Sequence, residues 1–214
     1  MKIAAFSDCH WLYKDIKKFP KADIIIFAGD WCGSGYYIKE TLDFVNWFAK
    51  LKAKYKIVIP GNHDRLAQIN EKGVRDIFNQ IGATLLIDES INIEGLNIYG
   101  SPWSPFFNNW AFMLPEEQLK WKFKYIPNNL DILITHTPPK GILDPTNYGS
   151  EALRKRLNDV NPKIHIFGHN HGGYGYKETI NTKFYNVAVC SDADVEHDYT
   201  YKLINPVTVI NYEY

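Results

Sequence analysis

Paired thiols, guanidinium groups and long apolar runs are all scarce in this chain, and each scarcity removes a class of function. The 214 residues contain three cysteines, Cys9, Cys32 and Cys190, with no C-x-x-C pair among them. Neither a dithiol redox motif nor a thiolate zinc finger is signalled, and an odd set of thiols fits a reducing compartment. Arginine is confined to Arg65, Arg75, Arg154 and Arg156, so a guanidinium fork for phosphate is available only there. No apolar stretch approaches the ~20 residues of a membrane span. Residues 1–6 run straight into a polar cluster and are too short for a secretory core, so they read as a first strand and the expected address is the cytoplasm. Charge of one sign is also lacking. Lys plus Arg and Asp plus Glu number 24 each, which gives no basic groove for a long nucleic acid.

No repeat, linker or low-complexity tract breaks the chain, and residues 1–214 are expected to form a single domain with one well-buried core. Short runs rich in Ile and Val, at 3–6, 24–28, 57–59, 132–134 and 164–167, suit strands buried on both faces of a sheet. Helical spacing falls between them, at 38–51 and 65–81. Pro115 with Glu116 and Glu117 marks a helix start, and Ser150 is a candidate N-cap for a helix reaching Val160. Further strands are expected at 84–87, 91–93 and 96–99, the last two joined by a turn at Glu94-Gly95, and at 184–189 and 207–212. The pattern predicts an α/β fold of two packed sheets with helices outside.

Five polar clusters follow five of those apolar runs. They are Asp8-Cys9-His10, Gly29-Asp30, Gly61-Asn62-His63-Asp64, Thr135-His136 and Gly168-His169-Asn170-His171, and they hold five of the seven histidines. Each is short enough to be an ordinary turn by itself. Together, at the carboxyl ends of strands where loops converge, they are candidates for one site. Carboxylate, amide oxygen and imidazole in one set suit Mn²⁺, Fe or Zn²⁺ rather than Ca²⁺. The candidates Asp8, His10, Asp30, Asn62, His136, His169 and His171 exceed what one tetrahedral ion needs, so two divalent ions sharing a carboxylate are expected, with Mn²⁺ favoured.

The series D-x-H, G-D, G-N-H-D, a lone His and G-H-x-H resembles the calcineurin-like metallophosphoesterases. The wider text is similar to the metallophosphoesterase-domain-containing (MPPED-like) group. It includes Ile59-Pro60-Gly61-Asn62-His63, Tyr99-Gly100-Ser101-Pro102-Trp103 with Phe106-Phe107-Asn108 and Trp110, Thr135-His136-Thr137-Pro138-Pro139, and Gly168-His169-Asn170-His171 with Gly173-Tyr174-Gly175. The resemblance implies a four-layer α/β/β/α sandwich of two mixed sheets flanked by helices. It implies one ion on Asp8, His10, Asp30 and His171, and a second on Asp30, Asn62, His136 and His169, with Asp30 shared. The implied activity is phosphodiester hydrolysis by a hydroxide held between the ions. His63 would protonate the leaving oxygen, Asp64 would hold the His63 tautomer, and Asn62 would also touch the phosphate.

The implied partner is a small phosphate ester, with cyclic nucleotides the favoured class. Two divalent cations, less two carboxylates and one hydroxide, leave about one positive charge to meet an anion. Trp31, Tyr36, Trp103 and Phe107 are candidate faces for a base. Gly149-Ser150, at a helix start, is a candidate anion contact. A broad phosphomonoesterase and a nucleotide sensor of low activity are the rival functions. The other polar residues receive plainer readings. Cys9 and Cys32 are small buried fillers, His165 is structural, and His197 lies in a solvated acidic loop at 192–198. Residues 50–56 form the wet end of a helix, and the aromatic stretch 101–110 is a packed lid.

Overall fold

The computed structural model describes residues 1–192 and 200–213. Its first half lays down β1 (Lys2–Phe6), β2 (Ile24–Ala28), β3 (Tyr55–Ile59) and β4 (Ala83–Leu85), with α1 (Ile38–Phe48), α2 (Arg65–Ile69) and α3 (Glu71–Asn79) between them. A hairpin of β5 (Glu89–Ile93) and β6 (Leu96–Ser101) follows, then the two-residue strands β7 (Ser104–Pro105) and β8 (Met113–Leu114), α4 (Glu116–Lys124) and β9 (Ile132–Thr135). Next come α5 (Glu151–Val160), β10 (Ile164–Phe167), β11 (Gly175–Glu178), β12 (Lys183–Asn186) and β13 (Thr208–Asn211).

One sheet has the order β13-β1-β2-β3-β4 and the other β11-β12-β10-β9-β6-β5. Strands β1 to β4 are parallel neighbours, and so are β6, β9, β10 and β12. Antiparallel strands flank these blocks, β13 on β1, β11 on β12 and β5 on β6, so both sheets are mixed. Alternation along each strand explains the layering. Ile3, Ile24, Ile26, Ile57 and Ile59 point inward and meet Ile98, Ile132, Ile134, Ile164 and Ile166 of the facing sheet. Phe6, Phe27 and Val58 point outward against Phe44 and Phe48 of α1 and Val74 and Phe78 of α3. On the other side Leu133 and Phe167 meet Leu119 and Phe123 of α4 and Leu153 and Leu157 of α5. The result is the α/β/β/α sandwich, with each fully buried Ile contributing about 1.5–3 kcal/mol.

A short segment sews the two sheets together beside the strand ends. Ser7 N donates to Val187 O at 3.0 Å, Val187 N to Phe167 O at 2.8 Å, and Val189 N to Ser7 O at 3.1 Å. For that reason the strand expected at 184–189 leaves its sheet after Asn186.

Two local expectations are corrected. The single helix expected at 65–81 is two, because Asn70 leaves helical geometry (φ −140°) and its Oδ1 caps Gly73 N at 3.2 Å, the competition with the backbone that Asn offers. Lys56 is not at a wet helix end. It is buried in β3, and its Nζ donates to Phe48 O and Ala49 O at 3.2 and 3.1 Å, satisfying the end of α1. His197 and most of the acidic loop fall outside the described residues. No helix of the described residues is long and apolar enough to cross a membrane.

Candidate metal centre

Three of the five clusters follow β1, β2 and β3, and the other two follow β9 and β10. Within each sheet these strands are parallel neighbours, so their carboxyl ends lie on one side. The segment 187–189 holds the end of β1 against the end of β10. Asp8 and His171 therefore meet across 163 positions of sequence, with Asp8 Oδ1 3.3 Å from His171 Nε2. His169 N donates to both oxygens of Asp8, at 3.1 and 3.0 Å.

The backbone is bent to achieve this. Asp8 (φ 55°), His10 (φ 39°), Asp30 (φ 65°) and His169 (φ 66°) all sit in left-handed geometry. Such residues cost about 1–3 kcal/mol each and persist where the surroundings impose them. Glycine clears the remaining space. A Cβ on Gly61 would strike Asp30 Oδ1 and the His136 ring, and one on Gly168 would strike the Asp8 carboxylate.

Asp8, His10 and His171 offer ligand atoms within 4.8 Å of one another, as do Asp8, Asp30 and His136. His10 Nε2 lies 3.2 Å from His171 Nε2 and 3.9 Å from Asp30 Oδ2. His136 Nε2 lies 3.3 Å from Asp30 Oδ2 and 2.9 Å from Asn62 Oδ1. The His169 ring is 5.0 Å from that of His136. A third cluster joins His10, Asp30 and His63, which also brings His63 within ligand range.

Electrostatics follow from burial and crowding. Burial alone would raise the Asp8 carboxyl, but the His171 ring beside it holds it below its ordinary value. Asp30, equally buried, is held well below by His136 and His63. Burial works against a charged His136, yet the Asp30 carboxylate outweighs it and raises the ring to about 9. His10 and His169 are pushed down to about 3, first by burial and then by neighbouring imidazoles.

The donor set fits divalent cations. His136 Nδ1 donates to Ala28 O at 2.9 Å, so the neutral ring turns a lone pair inward from Nε2. Asn62 Oδ1 and Asp30 Oδ2 turn lone pairs to the same place. Three acceptors with no hydrogen between them repel unless a cation, or a second proton on His136, sits among them. His171 repeats the pattern, with Nδ1 donating to Ser191 O at 2.7 Å and Nε2 facing Asp8.

Beside the cluster opens a cavity of about 590 Å³. His10, Asp30, Asn62, His63, His169 and His171 form its polar floor, and Phe106, Phe107, Trp110, Met113, Tyr148 and Tyr201 its apolar wall. The wall departs from expectation. Trp103 is not in it; its Nε1 donates to Asp88 Oδ2 at 2.7 Å and its ring lies under Lys122 Nζ at 4.1 Å. Trp31 is fully buried beneath α1, and Tyr36 stacks under Arg65 away from the cavity. Only Phe107 of the four expected faces lines it, paired with Tyr148 at 5.9 Å. Tyr148 and Tyr201 carry no motif that marks them in the sequence.

Two further expectations are corrected. The start of α5 is not open to an anion, because Glu116 already fills it, accepting from Ser150 Oγ, Glu151 N and Ala152 N at 2.9–3.1 Å. Ser150 Oγ caps Leu153 N, and Gly149 N is spent on Asp144. Asp64 does not touch the His63 ring. Both its oxygens accept backbone N–H groups, from Asp30 and Gly61 at 2.8 Å and Cys32 at 3.1 Å, because its buried carboxylate needs those donors. Gly33 O instead holds His63 Nδ1, and Trp110 stacks on the ring at 4.2 Å. Cys9 and Cys32 are buried, as expected, and burial raises both thiols. His165 is buried with Nε2 on Thr135 Oγ1 at 2.8 Å.

Two mixed sheets packed face to face, with carboxylates and imidazoles gathered at the ends of parallel strands, define a metallophosphoesterase-type sandwich. The chain belongs to the calcineurin-like phosphoesterase family, whose profile matches residues 1–173. It is 36% identical over 213 residues to a UPF0046 protein of Caenorhabditis elegans, covering 83% of this chain and 53% of the relative. It is 33% identical over 240 residues to metallophosphoesterase domain-containing protein 1 of Homo sapiens, covering 98% and 70%. The chain thus spans about half the length of the nematode relative. A crystal structure of a Thermus thermophilus protein shares the fold, with a TM-score of 0.67 at 16% identity over 86% of this chain and 88% of that one.

Proposed function

We propose that residues 1–214 act as one domain, a metal-dependent phosphodiesterase that hydrolyses small phosphate esters such as cyclic nucleotides. The observation that carries this reading is the convergence of acceptor atoms from Asp30, Asn62 and His136 on one point, beside a second group of Asp8, His10 and His171. Asp8, His10, Asp30 and His171 would hold one ion, and Asp30, Asn62, His136 and His169 the other, with Mn²⁺ favoured over Fe or Zn²⁺. When bound, such ions polarise phosphoryl oxygens and lower the pKa of a bound water.

The chain's own groups do the rest. Asp30 Oδ1 accepts His63 N at 2.8 Å, which fixes the His63 backbone over the shared carboxylate. With Nδ1 tied to Gly33 O, the His63 ring has Nε2 available to give a proton to the leaving oxygen. Asp64 supports this at one remove, by locking the Gly29-Asp30 and Gly61-Asn62 turns together. The cavity of about 590 Å³ exceeds the needs of inorganic phosphate and matches a small organic ester. Phe107 and Tyr148 offer flat faces to a base or aryl group. A reducing cytoplasm suits the three buried, unpaired thiols.

The test is turnover with added Mn²⁺ on bis-p-nitrophenyl phosphate, p-nitrophenyl phosphate and 2′,3′- and 3′,5′-cyclic nucleotides, with metal content measured on the same protein. Diester preference with two ions per chain supports the proposal. Monoester preference replaces it with a broad phosphomonoesterase. Tight nucleotide binding without turnover replaces it with a sensor.

A further inference from the structure

Three of the histidines at the site are held in the same way. Nδ1 of His136 is fixed by Ala28 O, that of His171 by Ser191 O and that of His63 by Gly33 O. Each backbone carbonyl sets both the tautomer and the plane of its ring. Among the described residues His10 has no such tether. Its Nδ1 is buried, and among the described residues it has no hydrogen-bond partner. A ring with one nitrogen idle can turn about its side-chain torsions, and any turn moves Nε2 away from Asp30 and His171.

Tyr201 occupies the place where the tether is missing. Its ring lies on the His10 imidazole with centroids 4.0 Å apart and planes 8° from parallel. The same ring meets His171 edge-on at 5.7 Å and 60°. His63 closes another side of His10, edge-on at 4.7 Å. Tyr201 is half-buried, lines the cavity and lies beyond the residues 1–173 that the family profile covers.

We propose that Tyr201 is the positioning residue for His10. Its ring face does for this imidazole what backbone carbonyls do for His63, His136 and His171, holding Nε2 toward Asp30 and His171. The flat contact fixes the plane of the imidazole but donates nothing to it, so the ring matters and the hydroxyl does not. The inference rests on the reading of these residues as metal ligands. Groups that orient a ligand typically change metal affinity by about 10–100-fold when removed.

Calorimetric titration of the metal-free full chain with Mn²⁺ tests this without reference to turnover. The parent is expected to take two ions. Tyr201→Ala should bind one of them about 10–100-fold more weakly and leave the other unchanged. Tyr201→Phe should bind both as the parent does. Tyr201→Leu, which fills the space without a flat face, should show the loss seen for Ala. His10→Ala should weaken the same ion, and adding Tyr201→Ala to it should cost nothing more. Unchanged affinities in Tyr201→Ala would overturn the proposal, and so would full restoration by Leu or an additive double variant. Should the Ala variant fail to fold, the Phe and Leu pair decides. A parent that binds no Mn²⁺ overturns the metal reading itself, a result distinct from an intact pair of ions in Tyr201→Ala.

Discussion

The floor and the wall of the cavity are built to opposite rules. Asp30 and His10 on the floor are 1% and 3% exposed, whereas Phe106, Phe107 and Tyr148 on the wall are 62%, 58% and 62% exposed. Several floor residues are fixed by main-chain groups, as Asp30 is by His63 N and His171 by Ser191 O. Phe106, Phe107 and Tyr148 come from the connections after β7 and before α5, and the rings of Phe107 and Tyr148 meet each other. Reaction chemistry needs sub-ångström placement, which buried strand ends supply. Recognition of a leaving group tolerates looser loops. A change on the floor should therefore act on turnover and metal, and a change at Phe106, Phe107 or Tyr148 on substrate affinity alone.

The sharpest break in that contrast comes from Asp30→Asn. It removes the carboxylate that faces both His10 and His136. Turnover should fall by about 10³-fold or more, the equivalent of ~4 kcal/mol, and metal analysis should find fewer ions per chain; a drop below tenfold would sink the shared-carboxylate reading. His63→Ala should lower kcat by about 10²–10⁴-fold on an ester with an alkoxide leaving group and much less on a nitrophenyl ester. Equal losses on the two would rule out proton donation. Asp64→Ala strands three buried N–H donors. Urea unfolding should register a loss of about 1–3 kcal/mol for each donor that finds no water, and kcat should fall with it. The smallest effect belongs to the wall. Phe107→Ala should raise KM for an aromatic ester by the equivalent of about 1–3 kcal/mol, with kcat unchanged. A matching loss of kcat would erase the distinction between floor and wall.

Much of the floor was readable because strand, turn and ligand are contiguous in each cluster. Ile24 to Asp30 announces a buried strand, a glycine turn and a carboxylate in one stretch. The layering was readable for the same reason, since Ile-rich runs bury both faces. The roles of neighbours were not. Asp64 follows His63 directly, yet its carboxylate turns to backbone amides from two turns, a choice fixed only when β2 and β3 lie side by side. Glu116 occupies the start of α5 from a different helix, a contact invisible to local spacing. The wall was least legible. Trp103 looked like a platform but is claimed by Asp88 and Lys122, and Tyr201 reaches His10 across 191 positions with nothing in its vicinity to mark it.

The stitch formed by Ser7, Val187 and Phe167 has a consequence for how the protein opens. Ions gripped by Asp8 and Asp30 from one sheet and by His136 and His171 from the other would act as rivets across it. Stripping them should loosen that seam before it loosens either sheet. Amide exchange at Ser7, Val187 and Val189 should then quicken in chelator while Ile25 and Leu133, deep within their own ladders, stay protected.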